Sequence, residues 1–477
     1  MSSKNRWLAS GKWHLLFTRR GRIGPLWFLA LGSGLALIKF AIDRLIDLFA
    51  GHPWTSDDLL GARLIGTYVL GDIHPTGNDY GSLILSSLIA VVFAYLGVMI
   101  VLARLRSAGL SPFWVLVFFV PVLKFIFFAV LAIVPARDGA TANPVKQMTS
   151  VEPSPRLVRW IPRSEFGAAI LSIFVVSLVG FLFVSLGTEV LGNYGYSLFV
   201  GIPFALGFVS ALIYCLPEDR TQGSAMLVST LSIAASGGVL LLVRVEGVLC
   251  LLMAAPLAIP LSILGGLVAH TIVATIRAAR SHHHTLAAVL VIMPGSLVLE
   301  NQIAPPAPLL KVVTAVEINA PPSIVWKNVV TFSELPTPTE WVFRTGVAYP
   351  VRATIEGQGP GAIRRCEFST GPFVEPITVW DETHLLRFRV TENPAPLQEW
   401  TPYREIHPPH LDGYLVSRQG QFLLSELPGG RTRLEGTTWY QHHLWPVDYW
   451  QVWSDLIIHT IHGRVLRHIQ ALSEGGR

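Results

Sequence analysis

The sequence predicts a multi-pass α-helical membrane region followed by an α+β domain in which a curved antiparallel sheet holds one long C-terminal helix. Three observations carry that expectation. Hydrophobic residues make up 51% of the 477 and charged residues only 14%, against about a quarter charged in an ordinary soluble domain. Apolar stretches of bilayer length recur through the first 300 residues. From residue 305 they give way to short runs of period-two character, closed by a single long helix.

The charge divides in the same way. Residues 1–304 hold 21 Lys/Arg against 14 Asp/Glu, and residues 305–477 hold 15 against 17. Basic residues beside apolar spans set membrane orientation, so the net charge of +5 is not read as nucleic-acid binding, and no nucleic-acid partner is expected. Cys215, Cys250 and Cys366 are isolated, without a CxxC pair, so neither a disulfide framework nor a thiolate metal site is expected. No short apolar stretch ending in a small-residue cleavage site opens the chain.

A hydrocarbon core about 30 Å thick takes about 20 apolar residues in a helix. Stretches near 25–42, 82–103, 112–134, 167–187, 195–216, 225–243 and 247–275 meet or approach that length, and a shorter run, 285–299, is a span or an interfacial segment. Pro121 and Lys124 interrupt the third stretch, and Pro256 and Pro260 the seventh. Proline and charge at depth mark kinks, re-entrant turns or water-facing surface.

Lys4, Arg6, Lys12, Arg19, Arg20 and Arg22, with no acid among them, assign the tail 1–24 to the cytoplasm. The loop 43–80, with two basic residues and six aspartates, reads as external. If every stretch crosses, the loop 135–165 with Arg137, Lys146, Arg156, Arg159 and Arg163 falls outside, against the positive-inside rule. A re-entrant 112–134 returns it to the cytoplasm, and the last short run then decides the side of the C-terminal part. The reading adopted is a bacterial inner-membrane protein with six to eight spans and a cytoplasmic C-terminal domain.

Pro305, Pro306 and Pro308 stiffen a linker. Strands are predicted at Val312–Ile318, Val351–Glu356, Ala362–Phe368, Ile377–Trp380, Leu385–Val390, Gln421–Leu427 and Thr432–Tyr440. Pro428-Gly429-Gly430 is a hairpin turn. A helix is expected at Pro322–Phe332, and a terminal helix of about 28 residues opens at Pro446. On a helical wheel its first turns gather Tyr449, Trp453, Leu456, Ile457 and Thr460 on one side, with Gln451, Asp455 and His462 opposite. A sheet gripping a helix leaves a cavity between them.

Residues 311–475 resemble the helix-grip superfamily of START and plant pathogenesis-related allergen type, often labelled SRPBCC or polyketide cyclase/dehydrase. The likeness rests on Val316-Glu317-Ile318-Asn319-Ala320-Pro321-Pro322 running into Val325-Trp326, and on the turn with Gly357, Gly359 and Gly361. It continues in Phe368–Trp380, the hairpin Pro428–Thr432, and the helix through Tyr449-Trp450 to His462 and Val465. Residues 18–145 are similar to a bacterial inner-membrane family, domain of unknown function 805, through Gly21-Arg22-Ile23 and Arg104-Leu105 with Gly109 and Trp114. Arg106 and Ser107 stand where that family shows His-Asp. The resulting division is a basic tail 1–24, an N-terminal membrane domain 25–145, a second helical block 166–300, a linker 301–310 and a START-like domain 311–477.

The histidines do not assemble into a metal motif. His282, His283 and His284 have no nearby carboxylate, and His459 and His462 belong to no HExxH pattern. No metal or cofactor is therefore expected, and no catalytic residue is assigned. Glu246 and Lys124 are charges at the membrane edge, where snorkelling explains them better than an ion pathway. Gly357-Gln358-Gly359-Pro360-Gly361 lacks the Lys-Ser/Thr of a phosphate loop and reads as a turn. Eight of the fourteen tryptophans lie in the C-terminal domain. Trp380, Phe388 and Tyr440 on the sheet are expected to face Trp453 and Ile457 on the helix across a ligand cavity. The function expected is membrane-tethered binding or transfer of a hydrophobic, lipid-like small molecule, with membrane lipids as further partners. A cyclase or dehydratase using Tyr440, His442 or His459 as acid/base, and a membrane sensor or assembly protein, are the alternatives.

Overall fold

The computed structural model describes residues 21–49, 80–110, 112–119, 121–136, 160–276, 295, 298–300, 302, 306–403 and 406–475. The basic tail to residue 20, most of the 43–80 and 135–165 loops, His282–His284, most of the 285–299 run and Pro305 lie outside the described residues. The chain divides into two units, one of residues 1–183, 200–236 and 257–295, the other of residues 184–199, 237–256 and 296–477.

The first unit is helical. It opens with α1 (Pro25–Phe49), α2 (Tyr80–Ala108), a 3₁₀ segment Pro112–Phe119 and α3 (Pro121–Ile133). The third apolar stretch is thus broken where Pro121 opens a new helix. Proline fits a first turn and breaks an interior, and 13 residues extend only about 20 Å. Arg104, buried on α2, caps the end of α3 by donating to the carbonyls of Leu131, at 2.9 Å, and Val134.

There follow α4 (Glu165–Ser185), α5 (Ile202–Cys215), α6 (Gln222–Leu242) and α7 (Val248–Ile276). Five helices among the described residues are long and apolar enough to cross a membrane: Pro25–Ile46, Glu165–Val190, Ser197–Cys215, Gln222–Leu242 and Val248–Ala274. Small residues let three of them close in, as helices do where lipid gives no hydrophobic drive to associate. Ser210 and Ser232 share a hydrogen bond of 2.6 Å, and Ser262 donates to the Ser229 carbonyl at 2.9 Å. Between α5 and α6, Arg220 pairs with Glu165 at 3.3 Å, and its carbonyl lies 3.0 Å from His270 Nε2.

The second unit is built on seven strands, β1 (Leu310–Ile318), β2 (Pro350–Glu356), β3 (Ile363–Phe368), β4 (Gly371–Asp381), β5 (Leu385–Arg389), β6 (Leu415–Leu427) and β7 (Arg431–His442). They form one antiparallel sheet in the order β1-β7-β6-β5-β4-β3-β2. Three helices accompany it, α8 (Pro322–Val330), α9 (Trp341–Arg344) and α10 (Val447–Glu474). Helix α10 touches β1 and β7 at one edge and β2 at the other. Seven strands laid flat span about 29 Å and a helix only about 10 Å, so the sheet curves around α10 in the helix-grip arrangement.

Every predicted strand is present, and β4 and β6 each begin six residues earlier than expected. β4 starts at Gly371 and contains Pro372 and Pro376, residues that disfavour a strand. β5 pairs with β4 only from Ile377 onward, so the missing proline N–H groups cost no bond on that side. The β6–β7 hairpin turns through Gly429 and Gly430, both at positive φ, +84° and +69°, where a side chain would be strained.

Two segments preceding the sheet also belong to this unit. Trp445 N–H donates to the Tyr194 carbonyl at 2.9 Å, and Val248 N–H to the Trp400 carbonyl at 2.8 Å. The Glu300 carboxylate accepts from the N–H groups of Tyr196 and Ser197 at 2.5 and 2.8 Å.

Candidate functional site

Alternation along β3 turns Arg364, Cys366 and Phe368 to one face, and the β3–β4 register sets Arg364 directly opposite Glu375. Both are buried, with Arg364 1% and Glu375 6% exposed. Arg364 Nη1 donates to the Glu375 carboxylate. Its Cζ lies 5.5 Å from each of the ring centroids of Phe332, Phe388 and Phe422, within range of the cation–π attraction. Nε and Nη2 have no hydrogen-bond partner among the described residues. Burial pushes the Glu375 carboxyl above its usual range, against the pull of Arg364, and pushes the neighbouring Cys366 thiol up to about 12. The guanidinium also interacts with the Cys366 sulfur, a weak acceptor, which leaves it donors for an oxygen acceptor.

Trp380 and Phe388 fall in or against the same apolar cluster as these rings, and Trp380 meets Trp326 edge-on with centroids 5.7 Å apart. Tyr440 lies in a second cluster with Leu310, Val312 and Ile458. Ile457 flanks a third, of Val342, Phe343 and Val347, and Trp453 is half-buried on α10. Of the five predicted ligand-binding residues, the structure brings Trp380 and Phe388 together, and places Tyr440 on β7 and Trp453 and Ile457 on α10 outside their cluster.

The buried stripe of α10 differs from the wheel. It runs through Trp450, Ser454, Asp455, Ile458, Val465, Leu466 and Ile469, while Leu456 is exposed. Asp455 accepts from the Tyr440 hydroxyl, which also bonds Ser454 at 2.8 Å. His462, placed by the wheel on the polar side, bonds Thr438 at 2.8 Å and Thr314 at 3.1 Å, and His459 bonds Thr314 at 2.8 Å. A wheel weighs hydrophobicity alone, whereas the strands opposite present hydroxyls that satisfy buried polar groups. Burial lowers His462 to about 3, helped by the adjacent His459, and lowers His442 to about 4.

A second cluster in this unit joins Glu246, just before α7, with Cys250 on its first turn and His410 from the loop before β6. Their ligand atoms all lie within 4.8 Å of one another. Cys250 Sγ is 2.9 Å from His410 Nε2, His410 Nδ1 is 3.5 Å from Glu246 Oε2, and Tyr194 OH is 3.4 Å from Glu246 Oε1. Burial, with the neighbouring charge of Glu399, raises Glu246 to about 8, and burial lowers His410 to about 4. Glu246, 8% exposed, does not snorkel to solvent as expected. Sequence spacing missed Glu399 and His410 because both lie about 150 residues beyond Cys250 in the chain. Arg364 was missed as well, although its strand phase with Ala362, Cys366 and Phe368 is a signal that could have found it.

No protein-family model and no curated protein matches the chain, and the likeness of residues 18–145 to domain of unknown function 805 is not supported. Among solved structures, the chain is similar to norcoclaurine synthase from Thalictrum flavum in complex with dopamine and hydroxybenzaldehyde, at 13% identity. That match covers 36% of this chain and 90% of the synthase, with a TM-score of 0.25. It is also similar to an aromatase/cyclase from Streptomyces sp. R1128, at 12% identity over 35% of this chain and 94% of that one, TM-score 0.24. A third is the Aha1 dimer from Colwellia psychrerythraea, at 14% identity over 35% and 98%, TM-score 0.21.

Proposed function

We propose that the C-terminal domain binds a hydrophobic, lipid-like molecule carrying one hydrogen-bond-accepting group, and that the apolar helices hold the domain at a bilayer where such molecules concentrate. The observation that carries this reading is Arg364, buried among three phenylalanine rings with Nε and Nη2 unpartnered. An unmade buried bond costs about 1–3 kcal/mol, which a carbonyl or carboxyl oxygen of a bound amphiphile would recover. The apolar remainder of the ligand would lie against the Phe388 and Trp380 cluster.

The test is mass spectrometry of compounds extracted from the full chain purified with its native lipid. One compound of this class should be enriched over bulk membrane in the native protein and lost in the double variant Arg364→Met/Glu375→Leu. Identical extracts from both proteins would overturn the reading. Conversion of that compound by the protein would favour the cyclase or dehydratase alternative.

For the side of the membrane we propose the opposite of the sequence reading, a C-terminal domain outside the cytoplasm. The segments 184–199 and 237–256, which join helix ends, carry only Arg244 as a basic residue and belong with the C-terminal sheet. The other ends of those helices are flanked in sequence by Arg137, Lys146, Arg156, Arg159, Arg163, Arg220, Arg277 and Arg280. The positive-inside rule assigns that basic end to the cytoplasm. Glu300 bonds to the Tyr196 and Ser197 amides of one of these sparsely basic segments, and the proposed placement requires the apolar 285–299 sequence to cross. A C-terminal alkaline phosphatase fusion should be active and a fluorescent-protein fusion dark; the reverse pattern would restore the cytoplasmic placement.

A further inference from the structure

We infer that Glu246, Cys250 and His410 form a binding site for one transition-metal dication of zinc type. The donor set is one sulfur, one imidazole nitrogen and one carboxylate, the mixture such ions take. Ligand atoms around a tetrahedral zinc, with bonds of about 2.0–2.3 Å, stand about 3.3–3.8 Å apart. One donor atom from each of the three lies within 4.8 Å of the other two, so a shift of about 1 Å or less brings them to that spacing. The imidazole meets the thiol through Nε2 and the carboxylate through Nδ1, and binding would take one of these nitrogens. Thiolate and carboxylate together carry two negative charges, which a dication neutralises in a site shut off from water.

Two further observations point to an occupant. Glu246 Oε2 and His410 Nδ1 face each other at 3.5 Å without making a hydrogen bond, although Glu246 is 8% exposed and the His410 side chain 10%. Buried polar atoms are rarely left so. Gly247 then leaves room for a fourth group. A β-carbon there would fall 2.0 Å from Glu399 Oε2, so only glycine admits this carboxylate. Glu399 is anchored by the Leu249 N–H at 3.2 Å, and its Oε1 is unpartnered. It either completes the coordination or orients Cys250. Tyr194, with its hydroxyl on Glu246 and its ring edge-on to His410 at 5.3 Å, holds two of the ligands from the other side, as outer partners do at metal sites. The inference is independent of the ligand proposed for the sheet.

The test uses the full chain, reduced, stripped with a chelator and titrated with cobalt(II). The expected result is one equivalent bound with a thiolate-to-cobalt charge-transfer band, absent in Cys250→Ser and retained in Cys215→Ser and Cys366→Ser. Cobalt held by His282–His284 would give no such band. If Cys250→Ser fails to fold, the isosteric Glu246→Gln serves in its place, with affinity expected to weaken at least about tenfold. Binding below about a tenth of an equivalent at micromolar free metal, or a band indifferent to both substitutions, overturns the inference.

Discussion

Gly207 on α5 and Ser262 on α7 meet backbone to backbone: a β-carbon on Gly207 would fall 2.0 Å from the Ser262 carbonyl oxygen. Neither partner can move aside without shifting its helix. Gly207→Ala is therefore expected to lower thermal stability in detergent, at a cost of about 1–3 kcal/mol for overpacking. Gly238→Ala, where nothing lies within 4 Å, serves as control and should hold or gain stability through better helix propensity. Equal melting temperatures for the two variants would contradict this account of the contact.

The buried pair of Arg364 and Glu375 gives a second prediction. Arg364→Met leaves a carboxyl alone in an apolar interior and should cost about 3–5 kcal/mol. Adding Glu375→Leu removes the stranded group and should restore most of the loss. Denaturant unfolding followed by tryptophan fluorescence reads both, and a double variant no more stable than the single one would refute the pairing.

Acid should destabilise the domain through His442 and His462. Folded, they are held down to about 4 and about 3 by burial; unfolded, both titrate near about 6.5. Between those values the unfolded chain binds more protons, so stability is full above about pH 6.5 and falls as pH drops toward the folded values. The unfolding midpoint of the native protein should decline between pH 7 and 5. His462→Asn should show a flatter decline, and parallel slopes would remove His462 from the explanation.

At the β6–β7 turn, Gly430 at φ +69° makes a local prediction. Gly430→Val should cost about 1–2 kcal/mol, because a β-branched residue resists the left-handed region. Asparagine, which tolerates that region better, should cost less. The measurement is the difference in unfolding midpoint between the two variants.

The sheet was legible because its strands alternate and its turns carry glycine, and α10 because nothing interrupts it after Pro446. The break in the third apolar stretch was legible in Pro121. What stayed hidden depends on partners distant in sequence. Asp455 and His462 read as solvent-facing until Tyr440, Thr314 and Thr438 are brought opposite them. Glu246 read as an interfacial charge until Tyr194 and His410 arrive from 52 and 164 residues away. Loop charges alone leave the side of the domain to the 285–299 run, most of which lies outside the described residues.

The pairing of β1 with β7 sets an order of events. The first strand of the sheet finds its neighbour only in the last, with Leu310 opposite Tyr440 and Ile318 opposite Thr432. Until more than a hundred further residues have been synthesised, β1 has no strand to join, and closing so long a loop is slow. The apolar helices, whose hydrogen bonds are local, are complete well before that moment. The helices therefore form while the sheet is still open, and the sheet closes only once β7 has left the ribosome.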